Sequence, residues 1–368
     1  MIYLDNGATS FPKLKSVKDA VQWALTHCAN PGRGGYRQAQ LADRLVFDCR
    51  QRSAELFGCE PGQVVFTGSC TQGLNMAMRS LFRPGATVVI SGFEHNAVTR
   101  TLHGLGLRPV LAGRKLFDPE DTLACFEKAL KEGAEGAVFT CCSNVFGYIL
   151  PYGKMAALCR RYGVPFVLDA AQAAGVLPIN FRELGADYVS MPGHKGLLGP
   201  QGIGLLLCKD LVQPLIYGGT GSISKSVNMP DFLPDAAEAG TLNVPGIAGV
   251  NAGLRFLQQM GTDVIFQKEH RLLERCVAGL HRLGIPCFSG NHQAATVSFV
   301  PTMDCQELAD RLAKYGIAVR AGLHCAPLAH ESAGTLETGT VRVSFGYGNQ
   351  EGDLEQFLKK LGQCLKNS

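Results

Sequence analysis

An α/β architecture is what the sequence predicts: a mostly parallel seven-stranded sheet between helices, with a smaller C-terminal α+β domain. Three observations point there. From about residue 60 onward, short apolar runs rich in β-branched residues alternate with helical stretches at the spacing of βαβ units. After Gly246 the texture changes to a long helical stretch, a few strands and a last amphipathic helix. The chain's 368 residues are enough for a large domain plus a smaller one, with a sizeable core.

The strands expected in the large domain are 63–67, 87–91, 109–112, 137–140, 165–169, 188–191 and 203–207. Runs such as TVVIS, AVFT and PFVLD are nearly unbroken apolar segments, the pattern of strands covered on both faces. Helices are expected between them, for example over 71–81 and 153–162. Beyond the large domain, a helical stretch over 247–283 leads to a strand at 295–300, a helix at 305–315, strands near Ala318 and Val341, and the terminal helix. The domains read as 16–250 and 251–368, with the first 15 residues packing on the smaller one.

Composition excludes several classes. Hydrophobic residues at 46% and charged residues at 18% describe an ordinary soluble globular protein. A net charge of +4 without runs of like charge argues against nucleic acid or a membrane surface as partner. The opening MIYLDNGATS lacks the charged-then-apolar layout of a secretion signal, and no apolar run is long enough to span a bilayer, so a cytoplasmic setting is expected. The 14 cysteines are scattered, many in apolar or helical patterns, as small buried hydrophobes are in a reducing compartment. Cys141 and Cys142 are adjacent and no C-x-x-C pair exists, so no metal site is expected.

Chemistry concentrates in two segments. VLDAAQ (167–172) sets Asp169 at the carboxyl end of an apolar strand, where open α/β sheets bind ligands. PGHKGLLGPQGIG (192–204) sets Lys195 among glycines that let backbone and ligand approach closely. Pyridoxal 5'-phosphate (PLP) needs both groups: a lysine amine to hold it as an imine, and a carboxylate to keep its pyridine nitrogen protonated so that the ring withdraws electrons. Each residue alone admits a plainer role, a capping aspartate or a solvated loop lysine. In TGSCTQGLN (67–75) a helix opens just after a strand, and its free amides with the Ser69 and Thr71 hydroxyls suit an anion, or simply cap the helix. Two nucleotide-binding look-alikes fail. GTGSISKS has Ser224 where a phosphate loop needs glycine before Lys225, and GPQGIG lacks the required glycine order.

Read in order, YLDNGATS, FTGSCTQGLN, FEHNAV, CCSNVFG, VLDAAQ, MPGHKGLLGPQGIG, EAGTLNVPG, RAGLHCAPLAH and TVRVSFG span nearly the whole chain. Through them it resembles the cysteine desulfurases of aminotransferase class V, enzymes of PLP fold type I. The resemblance implies Lys195 as the imine-forming residue, Asp169 as the pyridine partner and His95 as the ring that stacks on the cofactor. It implies Asn144 and Gln172 as hydrogen-bond partners of the cofactor's phenolic oxygen or of the substrate, and Cys70, Thr71, His194 and Thr241 as phosphate contacts. Thr241 resembles a residue that reaches a second subunit's cofactor, which implies a homodimer. Arg342 resembles the anchor of the substrate carboxylate and Arg320 a second active-site arginine; a guanidinium grips a carboxylate through two parallel hydrogen bonds. Three positions depart from the pattern: Pro192 where many relatives carry serine, Cys70 where threonine is frequent, and Gly7 in place of alanine.

Lysine and aspartate alone do not select a reaction, since class V relatives also transaminate, epimerise and cleave carbon–carbon bonds. Cys325, in RAGLHCAPLAH, resembles the nucleophile of the desulfurases. By that resemblance L-cysteine is bound through Arg342, Lys195 removes its Cα proton, Cys325 takes the sulfur as a persulfide and alanine leaves. The short step from Arg320 to Arg342 resembles the compact-loop subgroup and implies a separate sulfur-acceptor protein. Three other readings stay open: a selenocysteine lyase acting on L-selenocysteine, another class V aminotransferase or lyase in which Cys325 is incidental, and a non-catalytic binding protein.

Overall fold

The computed structural model describes residues 1–32 and 34–366. A short strand β1 (Ile2–Tyr3) is followed by helices α1 (Lys15–His27) and α2 (Arg37–Phe57). The alternation then runs β2 (Val64–Thr67), α3 (Cys70–Leu81), β3 (Thr87–Ser91), α4 (Asn96–Gly104), β4 (Arg108–Ala112), α5 (Pro119–Lys131) and β5 (Gly136–Thr140). It continues through α6 (Tyr152–Tyr162), β6 (Phe166–Asp169), α7 (Phe181–Leu184), β7 (Tyr188–Pro192) and β8 (Gly204–Cys208). After a long connection come α8 (Val244–Met260), α9 (Thr262–Arg282), β9 (Cys287–Phe288), β10 (Thr296–Phe299) and α10 (Cys305–Lys314). The chain closes with β11 (Ile317–Ala318), β12 (Arg320–Gly322), α11 (Pro327–Ala333), β13 (Thr340–Ser344) and α12 (Glu351–Lys366).

All seven expected strands form, each within one residue of its predicted bounds, in one sheet of order β2-β8-β7-β6-β5-β3-β4. Only β8 runs antiparallel to its neighbours. Successive side chains go to opposite faces: Val65, Val88, Ile90, Val138, Val167 and Leu206 enter one core, while Val64, Phe66, Val89, Phe139, Phe166 and Leu205 enter the other. Both faces are therefore apolar, which is why these strands read as continuous hydrophobic runs. The chain leaves β3 outward to β4 and returns to the other side of β3 at β5, so a switch point opens at the carboxyl ends of β3 and β5.

The last hundred residues wrap a second, antiparallel sheet of order β12-β13-β10-β9. Its core, with Phe299, Val341, Val343, Phe357 and Leu361, also takes in Leu4, because β1 pairs in parallel with β11. The stretch expected as one helix over 247–283 is two. Gly261 separates α8 from α9 with φ at +81°, a value most side chains resist. Two elements carried no strong period: β9 has only two residues, and α11 begins within RAGLHCAPLAH, with Pro327 at its first turn, and runs to Ala333.

One core group makes stability depend on pH. Glu269 of α9 is buried, and its carboxyl is pushed up to about 8, first by loss of solvent, against the pull of the Tyr347 backbone and Lys268. Between the ordinary glutamate value of 4.5 and about 8 the native state holds a proton that the unfolded chain has released, so stability falls as pH rises through that window. Glu269→Gln is expected to raise the melting temperature by about 2–4 °C or more near pH 8 and little near pH 5. Thermal melts at the two pH values check this, and an equal shift at both would contradict it.

Candidate active site

The carboxyl ends of β3, β5, β6 and β7 and the starts of α3 and α4 converge at the switch point. A cavity of about 300 Å³ there is lined by Asp169, Lys195, His95, Asn144, Gln172, His194, Cys70, Thr71, Arg320, Arg342 and Cys325. Eleven of the twelve residues picked out from the sequence thus share one space. The twelfth, Thr241, is exposed and lies outside the cavity wall.

Asp169 ends β6 and is 2% exposed. One carboxylate oxygen accepts from the Ala171 amide at 2.9 Å and from the Cys70 thiol at 3.5 Å. Cys70 therefore turns its side chain to Asp169, and what α3 presents to an anion is its first-turn amides, which no helical carbonyl can satisfy. Ser69 caps the helix by accepting from the Gln72 amide at 3.2 Å.

Lys195 follows β7 on a turn that only small residues permit. A Cβ on Gly196 would stand 2.3 Å from the Ala174 carbonyl oxygen, and one on Gly193 2.8 Å from Val250. Loss of solvent lowers the Lys195 amine below the ordinary lysine range, opposed by Asp169 and reinforced by Arg342 and Arg320. That enlarges the share of neutral amine, the form that attacks a carbonyl carbon or accepts a proton. His194 beside it has its pKa lowered to about 4 by burial, then by Lys195 and Lys13, and its buried Nδ1 has no partner. His95 is likewise kept neutral by burial, against Asp169. Its Nδ1 accepts from the Ala97 amide at 3.0 Å as the cap of α4, so the ring proton sits on Nε2.

The small sheet brings in the arginines. Arg342 of β13 and Arg320 of β12 stand directly opposite each other, an arrangement that like charges resist. Asp5 reconciles them: one oxygen accepts from Arg342 Nη2 at 2.5 Å and the other from Arg320 Nε at 3.0 Å. Arg342 is 2% exposed and donates its Nη1 to the Asn144 carbonyl at 2.9 Å, leaving a buried Nε without a partner. Gly7 approaches so closely that a Cβ there would lie 3.2 Å from the guanidinium carbon. Asp5 was not among the residues picked out from sequence. It sits in YLDNGATS, but nothing in spacing ties position 5 to 320 and 342. Asp5→Asn is expected to cost about 3 kcal/mol, because a buried arginine loses its counter-ion. Urea unfolding at an unchanged m-value would report this, and an unaltered midpoint would contradict it.

Cys325 stands on a strained loop. His324 and Cys325 have φ of +49° and +57°, the left-handed region that costs non-glycine residues about 1 kcal/mol or more each. Three hydrogen bonds hold it: Asn144 Nδ2 donates to the His324 carbonyl at 2.7 Å, the Asn96 amide donates to the Cys325 carbonyl at 2.7 Å, and His324 Nε2 meets Thr340 Oγ1 at 3.1 Å. Of the fourteen cysteines, all free, Cys325 alone is exposed. Burial pushes the thiols of Cys49, Cys59, Cys142 and Cys159 up to about 12, and those of Cys70, Cys141 and Cys208 well above their ordinary value. Such thiols stay protonated and inert, which leaves Cys325 as the accessible nucleophile in this cavity.

The residues present fit PLP. A buried carboxylate, a glycine-framed lysine of lowered pKa, a neutral imidazole and free helix amides line one cavity, and His194 Nδ1 and Arg342 Nε remain without protein partners.

Known proteins resemble this chain in sequence and fold. The aminotransferase class V pattern matches residues 2–357. The chain is 31% identical to a probable cysteine desulfurase of Pyrococcus abyssi, covering 100% of this chain and 95% of that one. It is 32% identical to a probable cysteine desulfurase of Pseudomonas aeruginosa, covering 100% and 94%. Among solved structures, the apo cysteine desulfurase from Thermococcus onnurineus superposes with a TM-score of 0.91 at 31% identity, covering 100% of this chain and 95% of that one. Escherichia coli CsdA shares the fold at a TM-score of 0.87 and 24% identity, over 100% and 95% of the two chains. With one exposed thiol and one lysine on a common cavity, and a match running almost from end to end, the chain belongs to the class V aminotransferases, in the cysteine desulfurase branch of that family.

Proposed function

We propose that this protein is a PLP-dependent cysteine desulfurase, converting L-cysteine to L-alanine and taking the sulfur onto Cys325 as a persulfide. The observation that carries the reading is Cys325, the one exposed cysteine, on the wall of the cavity that holds Lys195. When bound, PLP supplies an electron sink for the substrate's Cα. The protein's own groups do the rest. Arg342 offers guanidinium donors to the substrate carboxylate, with Arg320 beside it. Asp169 would hold a proton at the pyridine nitrogen of PLP, His95 would pack against its ring, and Cys70, Thr71 and His194 would hold its phosphate. Asn144 and Gln172 supply amides to the phenolic oxygen or the substrate. Lys195 would hold the cofactor through its amine, and its lowered pKa suits it to take the substrate's Cα proton. The Cys325 sulfur then attacks the substrate sulfur. The carbon–sulfur electron pair stays with the substrate, which is protonated and leaves as alanine.

Product analysis with L-cysteine tests this. Alanine should appear, and mass spectrometry should place one extra sulfur on Cys325. Turnover without alanine, or a persulfide on another residue, would sink the reading.

Homodimer formation is part of the proposal. Thr241 is exposed, and the connection before it exposes Leu215, Ile216, Tyr217, Val227 and Phe232, an apolar surface suited to a second copy whose pocket Thr241 would complete. Sedimentation equilibrium giving only monomer would contradict it. Cys325 on a short, pinned loop favours a separate acceptor protein for the sulfur, and fourteen free thiols suit a reducing, cytoplasmic setting. Persulfide turnover should rise when a matching acceptor is added. We place the division of the chain at 16–250 and 251–368, with segment 1–15 joined to the smaller lobe.

A further inference from the structure

Glu94 precedes His95 on the turn from β3 to α4 and is fully buried. One carboxyl oxygen, Oε1, takes three donors: the Ser91 hydroxyl, the Ser91 amide at 3.3 Å and the Thr140 amide at 3.1 Å. Ser91 ends β3 and Thr140 ends β5, so this oxygen clasps the two strands that border the switch point. Thr140 is in register with Asp169 on the next strand, and its hydroxyl reaches the Asp169 carbonyl at 3.4 Å. The other oxygen, Oε2, is buried without a hydrogen-bond partner, and among the described residues no cation pairs with Glu94.

A carboxylate cannot rest there cheaply. An unpaired buried anion costs several kcal/mol, and Asp169 already places one negative charge close by. The proton is the remedy. Oε1 is saturated by donors, so the proton belongs on Oε2. Burial, with Asp169 adding to it, pushes the Glu94 carboxyl up to about 8.

We infer that Glu94 is a positioning residue acting as a neutral carboxylic acid: it pins the loop bearing His95 to the ends of β3 and β5 without adding a second buried negative charge beside Asp169. The inference rests on the proposed role of His95 against the cofactor ring. The orientation of His95 depends on where its loop leaves β3, and the Glu94 clasp sets that departure. The Asn96 amide in turn donates to the Cys325 carbonyl at 2.7 Å, so the same turn also braces the loop of the nucleophile.

Glu94→Gln keeps an acceptor oxygen for Ser91 and Thr140 and can never be charged; Glu94→Ala removes the clasp. Both are loaded with PLP and compared by steady-state kinetics and by visible circular dichroism per bound PLP, which reports how the ring is held. Glu94→Gln should stay within about twofold of the wild type in kcat and dichroism. Glu94→Ala should lower kcat roughly 10- to 100-fold with KM changed less than about threefold, the loss typical of outer-shell partners, and should weaken the dichroic band. A glutamine variant as defective as the alanine variant would show that the charge is needed. An alanine variant matching the wild type in both readouts would show that no positioning occurs. Either result overturns the inference. If Glu94→Ala does not fold, Glu94→Asp, one methylene too short to span both strands, should show the loss in its place. A wild-type protein that holds PLP with strong dichroism yet releases no alanine would refute the desulfurase reading alone, leaving Glu94 to be judged by the dichroism of its variants.

Discussion

Replacing Cys325 with serine is expected to lower sulfur transfer from L-cysteine by roughly 10³-fold or more while PLP binding and the fold stay intact. The size of the loss follows from what the other thirteen cysteines are. Ten are buried, with burial keeping many of their thiols protonated, and the three that are partly exposed, Cys28, Cys125 and Cys287, lie outside the cavity. A serine hydroxyl is isosteric enough to keep the left-handed turn, and the three hydrogen bonds of the loop use backbone or neighbouring side chains rather than the Cys325 sulfur. The reading is decided by single-turnover alanine release together with mass spectrometry of the protein. Full alanine release from the serine variant would make Cys325 incidental and favour an ordinary class V lyase or aminotransferase.

Lys195→Ala is expected to be still more damaging, at roughly 10⁴-fold in turnover, because in the proposed mechanism one side chain would both hold the cofactor and move the Cα proton. Removing it deletes both functions. Lys13, which lines a neighbouring cavity with Lys195, cannot substitute. Its amine is tied to Ser10 Oγ at 2.7 Å and to the His194 carbonyl at 2.8 Å. Loss of the lysine-linked visible absorbance should accompany loss of turnover, and a small added amine such as methylamine should restore part of the proton transfer. Turnover retained by Lys195→Ala would remove this residue from the mechanism.

How much of this was readable in the chain depends on the range of each interaction. Strand β6 announced itself as PFVLD, and Asp169 at its end needed no partner to be located, because the polarity of a parallel strand fixes where its carboxyl end lies. The helix α3, with Ser69 as cap, was equally local. Asp5 was not readable in this way. Its two partners lie more than three hundred positions away and meet it only because β1 pairs with β11 and β12 with β13. Glu94 stayed hidden for the same cause: beside His95 in sequence it is one charged residue among many, and only the fold buries it beside Asp169. The break at Gly261 shows the limit of periodicity, since both helices keep their apolar stripe across a residue whose φ no pattern of hydrophobicity reports.

Residue identity, read in order, was enough for the strand pattern and for placing an aspartate at a strand end with a lysine among glycines, because these rest on short-range rules of period and motif, while Cys325 was singled out by the resemblance of RAGLHCAPLAH to the desulfurases. Folding in three dimensions decided which thiol is most exposed, which carboxyl is buried without a counter-ion and which anion bridges two opposed arginines. Those are properties of solvent exclusion and of distances between remote segments, and they come into being only when the two sheets close on one cavity.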